Sequence, residues 1–304
     1  MFKLIRYLSG LSALLLCSIA PAADSAAAPS SVSFIPSANA TIPPTTPRAP
    51  DLANAADALI FSAPPRESAE DAARLYQPLA EYFARVLGRK VTYQHPKSWL
   101  SYQQEVSKGG YDLVFDEAHF NSWSVAHLNH TTLAKLADEN FFVIVTRKDN
   151  AQINNVKQLA GKKICIIGAA NLGALALAAE FDPLRQPFMI ESGSWAKVYQ
   201  GVLDGKCLAG SLPVSMLRKL DGAGFATNTI HRSRRLPNYA FAAGPRVPPE
   251  QQAKLMRALM SPEATRALEP LLAANGAERG LAPSSKEDYA GLEVYLKDTW
   301  GYGR

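Results

Sequence analysis

From Ala58 onward, short apolar runs alternate with stretches whose apolar positions recur at helical spacing. Ala58–Ser62 reads as a buried strand that stops at Pro64-Pro65. The next stretch opens on a capping pair, Ser68 with Asp71, and sets Leu75, Leu79, Tyr82, Phe83 and Val86 on one face. Pro78 kinks this helix or moves its start, and Gly88 closes it. Val91–Gln94 follows as a strand, Trp99–Val106 as a helix, Tyr111–Phe115 as a third strand and His119–His127 as a helix.

Phe141–Thr146 is the next strand, followed by a polar crossing at Arg147–Gln152 and a short helix at Asn154–Leu159 ended by Gly161. The rhythm then restarts, with strands at Lys163–Ile167, Phe188–Glu191 and Cys207–Leu212 and helices at Leu172–Glu180, Trp195–Leu203 and Val214–Leu220. Tyr239–Ala243 reads as a strand returning to the first set, and Glu250–Met260, Pro262–Ala274 and Lys286–Thr299 as a helical tail packed on it. Alternating strands and helices imply mainly parallel sheets covered by helices. The expected α/β architecture has two lobes, 56–146 with 239–304 and 147–238, joined by two crossing segments at Thr146–Asp149 and Arg235–Tyr239.

In such sheets ligands bind beyond the carboxyl ends of the strands. Two lobes turn those ends toward each other, so the cleft segments are Pro65-Arg66, Ser98-Trp99, Asp116–Phe120, Gly168–Asn171, Gly193–Trp195 and Pro213–Ser215. The candidate ligand contacts are Arg66, Trp99, Asp116, Glu117, His119, Ala170, Asn171, Ser194, Trp195, Ser215 and Tyr239. Two carboxylates and an imidazole at Asp116, Glu117 and His119 suit an amine, a metal or a ligand hydroxyl; equally, they cap and pack the base of the following helix. Trp99 and Trp195 offer flat apolar faces, or core packing.

The first 22 residues carry a basic start (Lys3, Arg6), an apolar run (Leu8–Ile19) and a small-residue cleavage site, Ala20-Pro21-Ala22. They read as a secretory leader. Leu16 before Cys17 does not make a lipoprotein signal. Residues 23–55, rich in Ala, Ser, Pro and Thr, read as a flexible tether. About 250 residues remain, room for one large or two small domains. The chain carries +5, and loss of Lys3 and Arg6 leaves +3 without a long basic run, which argues against nucleic acid. Cys165 and Cys207 open two strands of the second set, so they either form a disulfide in an oxidising compartment or remain buried thiols. His127 and His130 lack a second cluster at metal-ligand spacing, and no metal or cofactor is called for. The chain has neither a G-x-S-x-G nor an H-E-x-x-H motif, so no catalytic residue is assigned.

Several phrases together resemble one family. They are YQPLAEYFARVLGRKV (76–91), GGYDLVFDEAHF (109–120), VKQLAGKKICIIG (156–168), GSWAKVYQGVLDGKCLAG (193–210) and RRLPNYAFAAGPRVPPE (234–250). In this order they are similar to the phosphate-, phosphite- and phosphonate-binding subunits of ABC importers, within the type II periplasmic solute-binding proteins. The resemblance implies a periplasmic, non-catalytic, monomeric binder that delivers a small oxyanion to an inner-membrane ABC permease. The family's Ser/Thr-rich turn after the strand that follows the crossing is replaced here by Gly168-Ala169-Ala170-Asn171. That departure keeps open a sensor or accessory protein of the same fold with an amine, metal or aromatic ligand.

Overall fold

The computed structural model describes residues 58–222 and 224–297, with Thr299 and Tyr302. The expected leader and tether lie outside the described residues. The first sheet contains β1 (Leu59–Ser62), β2 (Val91–Tyr93), β3 (Leu113–Asp116), β4 (Thr131–Leu136), β10 (Ala240–Ala243) and β11 (Leu281–Pro283), in the order β11-β4-β10-β3-β1-β2. The second contains β5 (Phe142–Arg147), β6 (Lys163–Ile166), β7 (Phe188–Glu191), β8 (Ala209–Pro213) and β9 (Thr227–Arg232), in the order β7-β6-β8-β5-β9.

Both sheets are mixed. β2-β1-β3 and β7-β6-β8 are parallel, as alternating strands and helices dictate. Beyond them every pairing is antiparallel, because β10 and β11 are reversed in the first sheet and β5 in the second, while β4 and β9 return to the common direction. Four strands of each sheet therefore run the same way, as expected of mainly parallel sheets. The reversal follows from the crossing strands, which enter each sheet from the opposite lobe.

The helices are α1 (Ala69–Leu87), α2 (Trp99–Ser107), α3 (Ala118–Leu128), α4 (Leu172–Ala178), α5 (Trp195–Leu203), α6 (Val214–Asp221), α7 (Pro249–Leu259) and α8 (Thr265–Asn275). Ser68 caps α1 by accepting from the Asp71 N–H, and the helix runs through Pro78 to a left-handed Gly88 (φ 65°). Its buried face, including Tyr76, Leu79 and Phe83, meets Phe61, Phe115 and Phe241 of the first sheet. Ring centroids there stand 4.7 to 5.7 Å apart for Phe115–Phe241, Phe61–Phe83 and Phe83–Phe241, the separations at which aromatic pairs attract. The second lobe has its own core around Ile144, Leu159, Ile164, Ile166 and Leu177.

Three expectations need correction. Phe142–Arg147 belongs to the second sheet, so the first crossing is residues 137–141 rather than Thr146–Asp149, and the lobe boundary moves with it. The return crossing is residues 233–239, and the two segments touch at an antiparallel bridge between Asn140 and Leu236. The tail over 286–299 is not one helix. Short 3-10 turns at Lys286–Asp288 and Leu292–Leu296 flank Gly291, whose φ of 80° a helix does not admit.

Cys165 and Cys207 form a disulfide with Cα atoms 5.5 Å apart, which decides between the two readings of these residues. Cys207 precedes β8 rather than opening it. A third apolar cluster joins the lobes. It places Ala118, Ala240, Tyr289 and Leu292 of the first against Phe142, Cys165, Trp195 and Leu212 of the second.

Candidate ligand-binding site

The carboxyl end of β3 runs directly into α3 through Asp116 and Glu117, and both side chains are buried. Glu117 is the N-cap residue of α3 by position, but its side chain makes no cap hydrogen bond. It reaches instead across to the other lobe. The Asn171 side-chain amide donates to Glu117 Oε1 at 2.6 Å, and the Leu172 N–H donates to Oε2 at 2.6 Å. Next to it, His119 Nε2 lies 2.9 Å from the Ala170 carbonyl. A carbonyl only accepts, so Nε2 carries the proton and Nδ1 is left as an acceptor. Burial holds the His119 pKa down to about 3, which keeps the ring neutral. Three hydrogen bonds therefore run between β3–α3 and the turn after β6.

Arg66 projects from the loop after β1 and is 2% exposed. Its Nη2 donates to the Tyr76 hydroxyl at 3.3 Å, and its guanidinium lies 4.4 Å from the Tyr239 ring centroid. Nη1 stands 3.7 Å from Glu117 Oε1, an ion pair without a hydrogen bond. Among the described residues, Arg66 Nε and Nη1, the Tyr239 hydroxyl, Trp99 Nε1 and His119 Nδ1 have no hydrogen-bond partner. Buried polar atoms are normally paired, so these atoms without partners near the meeting of the lobes stand out.

Asp116 is internally satisfied. The Tyr102 hydroxyl donates to Oδ2 at 2.5 Å and the Glu117 N–H to Oδ1 at 2.8 Å. Burial nonetheless pushes its pKa up to about 7. Burial also raises the Glu117 pKa, against the opposing pull of Arg66 and its two donors.

The sequence-derived candidates divide. Arg66, Trp99, Glu117, His119, Asn171 and Tyr239 gather with Asp116 and Ala170 where the lobes meet. Trp99 starts α2 and presses on the second lobe, where a Cβ on Gly168 would stand 2.2 Å from the indole nitrogen. Trp195 packs in the apolar cluster that joins the lobes. Ser194 caps α5 by accepting from the Lys197 N–H at 3.3 Å. Ser215 lies against Gly276 at the end of α8. Neither serine hydrogen-bonds to the Arg66–Glu117 group among the described residues. Tyr102, Tyr76 and Asn121 were missed. Tyr102 follows Trp99 by three positions on α2, the helical spacing that would have pointed to it. Asn121 donates to the Asp116 carbonyl at 2.9 Å and fixes the strand-to-helix turn. Among the described residues no group of three or more His, Cys, Asp or Glu is arranged to hold a metal ion.

The family model for the periplasmic substrate-binding protein of phosphonate ABC transporters matches residues 61–289. The chain belongs to that family. The family is one of periplasmic solute-binding transport proteins, which work with a small-molecule ligand and a membrane permease. Solved structures of similar fold include a binding protein component of an ABC phosphonate transporter from Pseudomonas aeruginosa, at 12% identity and a TM-score of 0.61, covering 77% of this chain and 83% of that one. Another is PhnD1 from Prochlorococcus marinus in complex with methylphosphonate, at 14% identity and a TM-score of 0.65, covering 79% and 97%. A Xanthomonas citri protein bound to ATP matches at 14% identity and a TM-score of 0.61, covering 82% and 98%. A search of curated proteins found no match.

Proposed function

We propose that this family member captures a small phosphonate-type oxyanion between its lobes and passes it to an inner-membrane ABC permease. The observation that carries the reading is Arg66, a permanent cation in a buried site whose Nε and Nη1 make no hydrogen bond. A phosphonate or phosphate oxygen accepts such donors strongly. The Tyr239 hydroxyl and Trp99 Nε1 supply further donors from the same surroundings. His119 Nδ1, an acceptor, suits the single O–H of a hydrogen phosphonate monoanion. The turn after β6 has lost hydroxyls but keeps the Asn171 amide and the Leu172 N–H, and both already hold an anion, the Glu117 carboxylate.

The amine alternative needs an available carboxylate. Asp116 is engaged by Tyr102 and Glu117 by Asn171, Leu172 and Arg66, which favours the oxyanion. The proposed contacts are Arg66, Trp99, His119, Asn171 and Tyr239. All the proposed contacts come from one chain, in keeping with action as a monomer. The role is binding without chemistry, since His119 is neutral and tied to a carbonyl. Export by the N-terminal leader accords with the disulfide, a bond typical of oxidising compartments.

A thermal-shift panel tests the ligand class. Methylphosphonate, phosphite and phosphate are compared with putrescine and arginine. At a hundredfold excess over its dissociation constant a ligand adds about 2.7 kcal/mol of stability, so an oxyanion should raise the melting temperature clearly. Stabilisation by the amines alone would refute the reading.

A further inference from the structure

Glu117 belongs to the first lobe by chain and to the second by its hydrogen bonds. Its two oxygens take one donor each from the facing turn, at 2.6 Å, and it is fully buried. It sits beyond the carboxyl ends of β3 and β6, where open α/β sheets receive ligands. Titratable groups surround it. Arg66 approaches from the loop after β1, Asp116 and His119 flank it on its own segment, and Tyr239 enters from the crossing that leads into β10. Among these, only Arg66 is a cation, and its Nε and Nη1 donate to nothing among the described residues.

We propose that Glu117 is a built-in surrogate ligand. Its carboxylate occupies the anion seat between the lobes and latches them together, and an external oxyanion binds only by displacing it. The argument is one of charge and valence. Two anions do not share one seat beside a single guanidinium, so the incoming group must expel Glu117 from the Asn171 and Leu172 donors. A planar carboxylate has two oxygens, and the turn uses both. A tetrahedral oxyanion has three, so it can take the same two donors and still reach the donors of Arg66 that the carboxylate leaves unused. Glu117 thereby sets the specificity of the cleft, by penalising simple carboxylates and halides that offer no more than Glu117 itself. The latch stands on the geometry alone, while the exchange rests on the oxyanion reading above.

The two parts separate experimentally. Small-angle scattering of the purified protein without ligand reads the latch. Wild type should be compact, and Glu117→Ala should show a larger radius of gyration. Asn171→Asp is the second variant. Aspartate keeps the cap of α4 but sets a carboxylate against Glu117, so it too should open the lobes. Equal radii for wild type and both variants would overturn the latch. Calorimetric titration with methylphosphonate then reads the exchange, and Glu117→Ala should bind at least tenfold more tightly than wild type. Unchanged or weaker binding by Glu117→Ala would overturn the exchange. If the variants open but neither wild type nor Glu117→Ala takes up methylphosphonate or phosphate, the latch stands and the oxyanion reading falls.

Discussion

Single residues in this molecule carry opposing charge penalties. Asp116 has a folded pKa of about 7, raised by burial from an ordinary 3.8. The folded state therefore holds its proton where the unfolded chain has lost it, and Asp116 stabilises the fold increasingly as pH falls from 7 toward 4. His119 at about 3 and His130 at about 4 act the other way. Below their ordinary 6.5 the unfolded chain binds protons that the folded state refuses, so their contribution is lost on acidification. In wild type Asp116 offsets part of that loss. Asp116→Asn removes the offset, so stability should fall more steeply between pH 7 and 4, by up to about 1.4 kcal/mol per pH unit. Urea denaturation of both proteins across that range checks it; parallel curves would show that Asp116 titrates normally. The residues behind this balance were readable in advance. The Asp116–His119 group stood out at a strand end, and Asn171 stood out as a cap. Their hydrogen bond was not legible, because a contact between positions 54 residues apart depends on how the lobes meet.

At the scale of elements, pattern reading found β1, β2, β3, β5, β6, β7, β8 and β10 and missed β4, β9 and β11. β9, TNTIHR, is a polar, half-exposed edge, and β11, LAP, contains a proline. Neither shows the alternation or apolar run that marks a strand. The lobe of β5 was misassigned for another reason. An apolar strand reads the same in either sheet, and only its pairing with β8 and β9 decides. Lobe two depends on its disulfide, which ties β6 to the chain entering β8 across 42 residues. Closing a loop of that length restricts the unfolded chain by about 4 kcal/mol in the chain-entropy treatment. Cys165→Ala with Cys207→Ala should cost about 2–4 kcal/mol in urea denaturation, and dithiothreitol should have no further effect on the double variant. Gly201 faces the bridge closely, since a Cβ there would stand 2.7 Å from Cys165 Sγ. Gly201→Ala should therefore destabilise the oxidised protein.

For the whole molecule, closure depends on how near the lobes approach. The Trp99 indole seats against the bare backbone of Gly168, where a Cβ would stand 2.2 Å from its nitrogen. Gly168→Ala should leave both cores intact, hold the lobes apart and shift tryptophan emission to the red; an unchanged spectrum would mean that this contact does not limit closure. Hinge motion of this kind needs a ligand that touches both lobes. Arg66 and Tyr239 lie on one side, Asn171 and Leu172 on the other, and Glu117 bridges them in the closed form. The most direct measurement is calorimetric titration of methylphosphonate into wild type and Arg66→Lys. Lysine keeps the charge but loses the planar fork of donors. Saturable binding by wild type, weakened at least tenfold in Arg66→Lys, is the predicted result. Equal affinities would place the ligand away from Arg66 and contradict the proposed cleft, and no binding by either would contradict the oxyanion assignment.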